Sequence, residues 1–213
     1  MILRKTDSHF AIFQSWFIWN LIGGFVAIGA MAEMPAFFYG LIRSGSPADV
    51  TGYSNALMIV LGGVLAGATI ALTQMKVLHL WPGKKNQWIQ ASILGFGLSF
   101  LIVWLLSGAE NTARFAHHAV PHAVDNAGLF GAVIIGASLG ITQWVILRKY
   151  FRNAALWIIA NAIGLAIGWG LAALQPTTEQ IAHFVGSLLI GASWGIVTGV
   201  CLLYFITQIS ERE

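Results

Sequence analysis

Residues 136–164 read GASLGITQWVILRKYFRNAALWIIANAIG, and residues 67–95 read GATIALTQMKVLHLWPGKKNQWIQASILG. Laid over each other without a gap, at an offset of 69 residues, the two share nine identities in 29 positions. The pairs are Gly67/Gly136, Ala68/Ala137, Thr73/Thr142, Gln74/Gln143, Leu78/Leu147, Trp88/Trp157, Ile89/Ile158, Ala91/Ala160 and Gly95/Gly164. Each stretch leaves an apolar segment, passes a basic turn and enters a second apolar segment. That is the inner half of a helical hairpin, written twice.

The 213-residue chain around these stretches is 57% hydrophobic and only 9% charged, with a mean hydropathy of +0.76. Soluble domains carry about 25% charged residues, so the composition is that of a membrane protein. Apolar runs of the length needed to cross a bilayer, about 20 residues, recur near 11–32, 54–80, 87–107, 124–147, 154–174 and 182–207. Little chain is left for anything else. The expected fold is all-α, a single polytopic domain over 1–213 with six transmembrane helices.

Charge sets the expected orientation. With both termini cytoplasmic, the inner segments hold Arg4, Lys5, Lys76, Lys84, Lys85, Arg148, Lys149, Arg152 and Arg212, and the outer ones only Arg43 and Arg114. Such an excess of inner Lys and Arg is the positive-inside pattern. Glu33, Asp49, Glu110, Asp125 and Glu179 fall outside. The basic balance therefore reads as topology rather than a nucleic-acid footprint. MILRK, an apolar stretch and Ala30-Met31-Ala32 resemble a cleavable signal, but this first span carries the repeat and is expected to be retained. The single Cys201 admits no intramolecular disulfide.

Odd spans open on Trp, with a small polar residue four later and Gly three further on: Trp16-Asn20-Gly23, Trp88-Ser92-Gly95 and Trp157-Asn161-Gly164. Even spans carry small residues four apart and then a polar pair, Gly67/Ala71 with Thr73-Gln74 and Gly136/Gly140 with Thr142-Gln143. The sixth keeps Gly191/Gly195 but has Val197-Thr198 in the polar position. Three tandem hairpins in one orientation imply an axis along the membrane normal, hence a bundle with approximate threefold pseudo-symmetry. Of the two longer outer loops, 33–53 and 108–123, the first is expected to hold a short interfacial helix near Pro35–Tyr39.

The candidate sites follow from these motifs. Gly67, Gly136, Gly140, Gly164, Gly168, Gly191 and Gly195 lie at spacings that let helix backbones approach closely; the alternative is a smooth groove for a pigment or quinone. Asn20, Thr73, Gln74, Ser92, Thr142, Gln143, Asn161 and Thr198 form a polar set, with Gln14 a further candidate. Gln143 lies about 7 Å of helix before Arg148 and Asn161 about 10 Å after Ala154, so the two share a depth. Amides in lipid need partners. Such a ring either locks adjacent spans together or lines a pathway near the inner face. His118, His122, Asp125 and His183, with His117 nearby, are the residues that would hold metal or haem iron. Pro121 reads as a helix start and weakens that spacing, so interfacial histidines without metal or haem are expected. Trp16, Trp19, Trp81, Trp88 and Trp157 read as an inner aromatic belt, Trp104 and Trp169 as an outer one, and Trp144 and Trp194 as space fillers.

Enzyme readings fail for want of parts. The chain has six His in all, against the many of a membrane di-iron hydroxylase, and no phosphate-binding Gly-Lys-Ser/Thr loop. No ionisable residue lies in mid-span, where ion-coupled transport places one.

Gln143-Trp144, Leu147-Arg148, Trp157 and Asn161 resemble a loose group of uncharacterised Gly-rich multi-spanning bacterial membrane proteins, seen in photosynthetic bacteria. The resemblance is best over the second to fifth spans. It implies a bacterial inner membrane location and carries no catalytic residue. The expected role is a non-catalytic accessory or scaffold subunit, packing against other membrane proteins, further copies of itself, or lipid-like cofactors such as pigment, quinone or lipid. The alternative is a small channel or transporter for a neutral or metal-ion solute.

Overall fold

Backbone that runs through hydrocarbon must satisfy every N–H and C=O within itself, which an α-helix does. In the computed structural model the chain forms six: α1 (His9–Arg43), α2 (Thr51–Leu78), α3 (Lys85–His117), α4 (Asn126–Leu147), α5 (Leu156–Ala173) and α6 (Glu179–Ser210). The structure describes the backbone of 9–43, 51–78, 85–117, 126–174 and 179–210, and the side chains of 9–27, 60–78, 85–103, 105–106, 128–174 and 184–208. Each helix contains a segment long and apolar enough to cross a membrane. The protein is an all-helical, multi-pass membrane protein, and no strand occurs among the described residues.

Two boundaries differ from expectation. Helix α1 runs on to Arg43, so Pro35–Tyr39 continues the first helix instead of forming a separate interfacial one. Helix α3 likewise reaches His117. Pro35 removes one intrahelical bond, a loss that long membrane helices absorb.

The helices stand in a closed ring. Each packs on its neighbours in sequence, and α6 closes onto α1. Polarity runs opposite to that of a soluble protein. Asn20, Gln74, Ser92, Gln143, Asn161 and Thr198 are buried, whereas Leu72, Leu94, Leu98, Leu105, Ile163 and Val200 point outward. Such a surface is stable only where the surroundings are as apolar as itself.

Glycine sets the helix spacing. A Cβ on Gly67 would meet the Ser92 carbonyl oxygen at 2.6 Å, and one on Gly136 the Asn161 carbonyl oxygen at 2.5 Å. On Gly191 it would meet the Asn20 and Leu21 carbonyl oxygens at 3.2 and 3.0 Å. Gly140 faces Ile158, Gly164 and Gly168 face Trp194 and Ile190, and Gly195 faces Asn20 and Phe17. All seven motif glycines thus meet neighbouring helices of the same chain. The space that a groove for a pigment or quinone would need at these glycines is filled by the chain's own helices.

This close approach is testable at two positions on adjacent helices. Gly136→Ala would press Cβ against backbone at Asn161 and Ala162, and is expected to destabilise by about 2–3 kcal/mol. Gly170 has nothing within 4 Å of its added Cβ, so Gly170→Ala is expected to stabilise by up to about 1 kcal/mol through helix propensity. Unfolding in mixed detergent–dodecyl sulfate micelles, followed by circular dichroism, measures both. Equal effects would show that close packing at Gly136 is unimportant.

Candidate functional site: a closed ring of hydrogen bonds

Two core clusters stack along the bundle. One contains Ala66, Phe96, Phe100, Leu139, Leu165 and Ile190. The other, toward the α4–α5 turn, contains Trp16, Trp88, Trp157, Leu147, Phe151 and Phe205. The buried amides lie among these indoles, and indole chemistry dictates how they are arranged. A Trp Nε1–H can only donate, so a glutamine facing it must present Oε1, leaving Nε2 free to donate elsewhere.

Gln74 Oε1 accepts from Trp88 Nε1 at 3.0 Å, and Gln74 Nε2 donates to Asn20 Oδ1 at 2.9 Å. Asn20 Nδ2 then donates to the Trp16 carbonyl one turn back, at 2.8 Å. The next hairpin repeats the pattern. Gln143 Oε1 accepts from Trp157 Nε1 at 2.7 Å, and Gln143 Nε2 donates to Ser92 Oγ at 2.9 Å. Ser92 Oγ donates to the Trp88 carbonyl at 2.9 Å. In the third hairpin, Trp16 Nε1 donates to Thr198 Oγ1 at 3.0 Å, and Thr198 Oγ1 to the Trp194 carbonyl at 2.6 Å. Trp194 Nε1 donates to Asn161 Oδ1, and Asn161 Nδ2 to the Trp157 carbonyl, both at 2.8 Å.

These ten bonds close on themselves. Followed from donor to acceptor they run Trp16, Thr198, Trp194, Asn161, Trp157, Gln143, Ser92, Trp88, Gln74, Asn20 and back to Trp16, all in one sense, touching every helix. At each tryptophan the incoming bond ends on the backbone carbonyl and the outgoing one starts from the indole N–H. The circuit is therefore four head-to-tail chains of two or three bonds, and cooperative strengthening acts within each chain. A longer contact of 3.4 Å, from Gln143 Nε2 to Gln74 Oε1, joins α4 to α2 inside the ring. Trp157 lies edge-on to both Trp16 and Trp88, with ring centroids 5.7 and 6.0 Å apart. The indoles therefore pack against one another within the ring.

The structure brings together six of the eight sequence-predicted polar residues: Asn20, Gln74, Ser92, Gln143, Asn161 and Thr198. Thr73 and Thr142 drop out. Their hydroxyls bond back to the carbonyls of Ile70 and Leu139, a turn earlier on the same helix. Each instead lies against a glycine of the preceding helix, Gly23 and Gly95. Gln14 is exposed on the outside of α1 and takes no part.

Three tryptophans correct the aromatic-belt reading. Trp16, Trp88 and Trp157 are buried and supply three of the ten donors. Their spacing four residues before Asn20, Ser92 and Asn161 held the signal, because residues four apart share a helix face. Trp194 is a further ring member; Trp144 is half-buried under Arg148. The side chains of His117, His118, His122, Asp125 and His183 lie outside the described residues, and no metal-ligating cluster occurs among those described.

Thr198 stands where the other hairpins have Gln74 and Gln143, and Trp194 where they have Ile70 and Leu139. The short threonine accepts from Trp16 but does not supply the donor to the preceding helix, which Trp194 provides instead. Trp194→Leu alone strands the Asn161 carbonyl oxygen and is expected to destabilise by about 2–4 kcal/mol. Adding Thr198→Gln restores a donor to Asn161 and is expected to recover at least about 1 kcal/mol. A double variant no better than the sum of the singles would refute this exchange.

Comparison of the chain with protein-family models, with curated proteins and with solved structures gives no match.

Proposed function

We propose that the chain is a non-catalytic integral membrane protein, an accessory or scaffold subunit of a bacterial inner membrane, built of three tandem hairpins in an approximately threefold bundle. The observation that carries this reading is the closed hydrogen-bond ring. A pathway needs polar groups that face a lumen and exchange partners with the solute, whereas these amides face one another and indoles pack between them. The ring contains no titratable side chain to move a proton. Channel or transport function along this axis is accordingly the weaker alternative.

With the motif glycines used internally, a partner subunit, pigment or quinone meets the outward faces, through residues such as Leu98, Ile163 and Val200. The test is a photo-cross-linking amino acid at Leu98, Ile163 or Val200 in the chain at native expression. Cross-links to one discrete membrane protein, or a co-purifying pigment or quinone, are expected. A monodisperse monomer cross-linked only to bulk lipid would overturn the scaffold reading. Solute flux in proteoliposomes that Gln74→Leu/Gln143→Leu abolishes would favour transport instead.

A further inference from the structure

Residues 126–178 contain no Asp or Glu, yet the eight-residue turn between α4 and α5 carries Arg148, Lys149 and Arg152. All three are exposed. The turn is fixed to the bundle rather than hanging from it. Its buried Phe151 stacks on Phe205 at 4.6 Å and 17°, and Asn153 Nδ2 donates to Tyr204 Oη at 2.9 Å. The Tyr150 and Phe151 N–H groups both return to the Leu147 carbonyl, at 2.9 and 3.0 Å. Arg148 lies 5.0 Å from the centre of the Trp144 ring, which restricts its guanidinium.

Just behind the cations, the outward faces of both helices are apolar: Ile141 and Val145 on α4, Leu156 and Ile159 on α5. A soluble anion would use the charges and leave this surface unused. A lipid uses both.

We propose that the α4–α5 turn binds the phosphate of an anionic phospholipid through Arg148, Lys149 and Arg152, with the acyl chains lying along the outward faces of α4 and α5. Arginine suits this role because its planar fork takes phosphate oxygens two at a time. The site does not depend on the scaffold reading, since any role in the membrane leaves the turn at the headgroup level.

The test uses the full chain in phosphatidylcholine vesicles, with tryptophan emission quenched by acyl-brominated phosphatidylglycerol or acyl-brominated phosphatidylcholine. The relative association constant is expected to favour phosphatidylglycerol by about fivefold, the contribution of one well-placed cation, or more. It should fall toward one in about 1 M salt. Arg148→Gln/Lys149→Gln/Arg152→Gln is expected to abolish the preference, and Arg148→Lys/Arg152→Lys to keep part of it. A native ratio near one, or a ratio unchanged in the folded triple variant, would overturn the proposal. Should the triple variant not fold, a salt-insensitive native ratio overturns it equally. A preference that dilute inorganic phosphate abolishes at matched ionic strength would show that the acyl chains add nothing and would overturn the proposal in favour of a soluble-anion site.

Discussion

Trp157→Ala is expected to cost about 3–5 kcal/mol of stability, the range for truncating a buried tryptophan. In a membrane the unfolded helices already lie in apolar surroundings, so most of this loss comes from vanished van der Waals contacts and an unfilled cavity. Trp157 is 1% exposed and lies against Trp16, Trp88 and Phe205. Its indole also supplies the Gln143 carbonyl oxygen with its donor. Trp157→Phe keeps much of the packing while removing the N–H, and is expected to cost about 1–2 kcal/mol. Unfolding in mixed micelles separates the two effects. Should Trp157→Ala lose no more than the lipid-facing Ile163→Ala, the indole cluster would not be a keystone of the bundle.

Gln143→Leu is the second large effect, expected at about 2–4 kcal/mol. Single interhelical hydrogen bonds in membranes average about 0.6 kcal/mol and reach about 1.7, so bond loss alone does not account for it. The extra cost is the orphaned partner. Trp157 Nε1–H would stay buried with no acceptor, at about 1–3 kcal/mol, whereas Ser92 keeps its own donation to the Trp88 carbonyl. Gln74→Leu should behave alike through Trp88. Because Gln143 Nε2 also reaches Gln74 Oε1 at 3.4 Å, the two glutamines share a contact and the double variant is expected to lose less than the sum of the singles. Strict additivity would show that the bonds act independently. Gln143→Asn, one methylene shorter, is a useful companion: partial rescue would identify the amide acceptor for Trp157 Nε1–H rather than side-chain volume as the determinant.

Much of the ring was legible beforehand. The sequence places Gln143 and Asn161 at one depth, and repeats their types at Gln74 and Ser92 and, in part, at Asn20 and Thr198. Burial in lipid then requires each to find a partner. What the pattern did not yield is which partner. Gln143 and Asn161, expected to lock the adjacent α4 and α5 together, are joined through Trp157 instead. Gln143 donates to Ser92 on the preceding helix. The direction of the ring comes from the indoles, and reading those as an interfacial belt hid it.

The sequence by itself determined six spans, the hairpin order and the glycine positions at which helices touch. Those features are written locally, in runs of apolar residues, basic turns and spacings of three to five. Only the tertiary structure decided which face of each helix looks inward. In a soluble protein that choice is marked by alternating polar and apolar character, but here lipid and protein interior are both apolar and the mark is faint. It survives in the few groups that hydrocarbon cannot satisfy, the amides, hydroxyls and indole N–H groups. Their pairing depends on how six helices meet around a ring, a relation that no single segment contains.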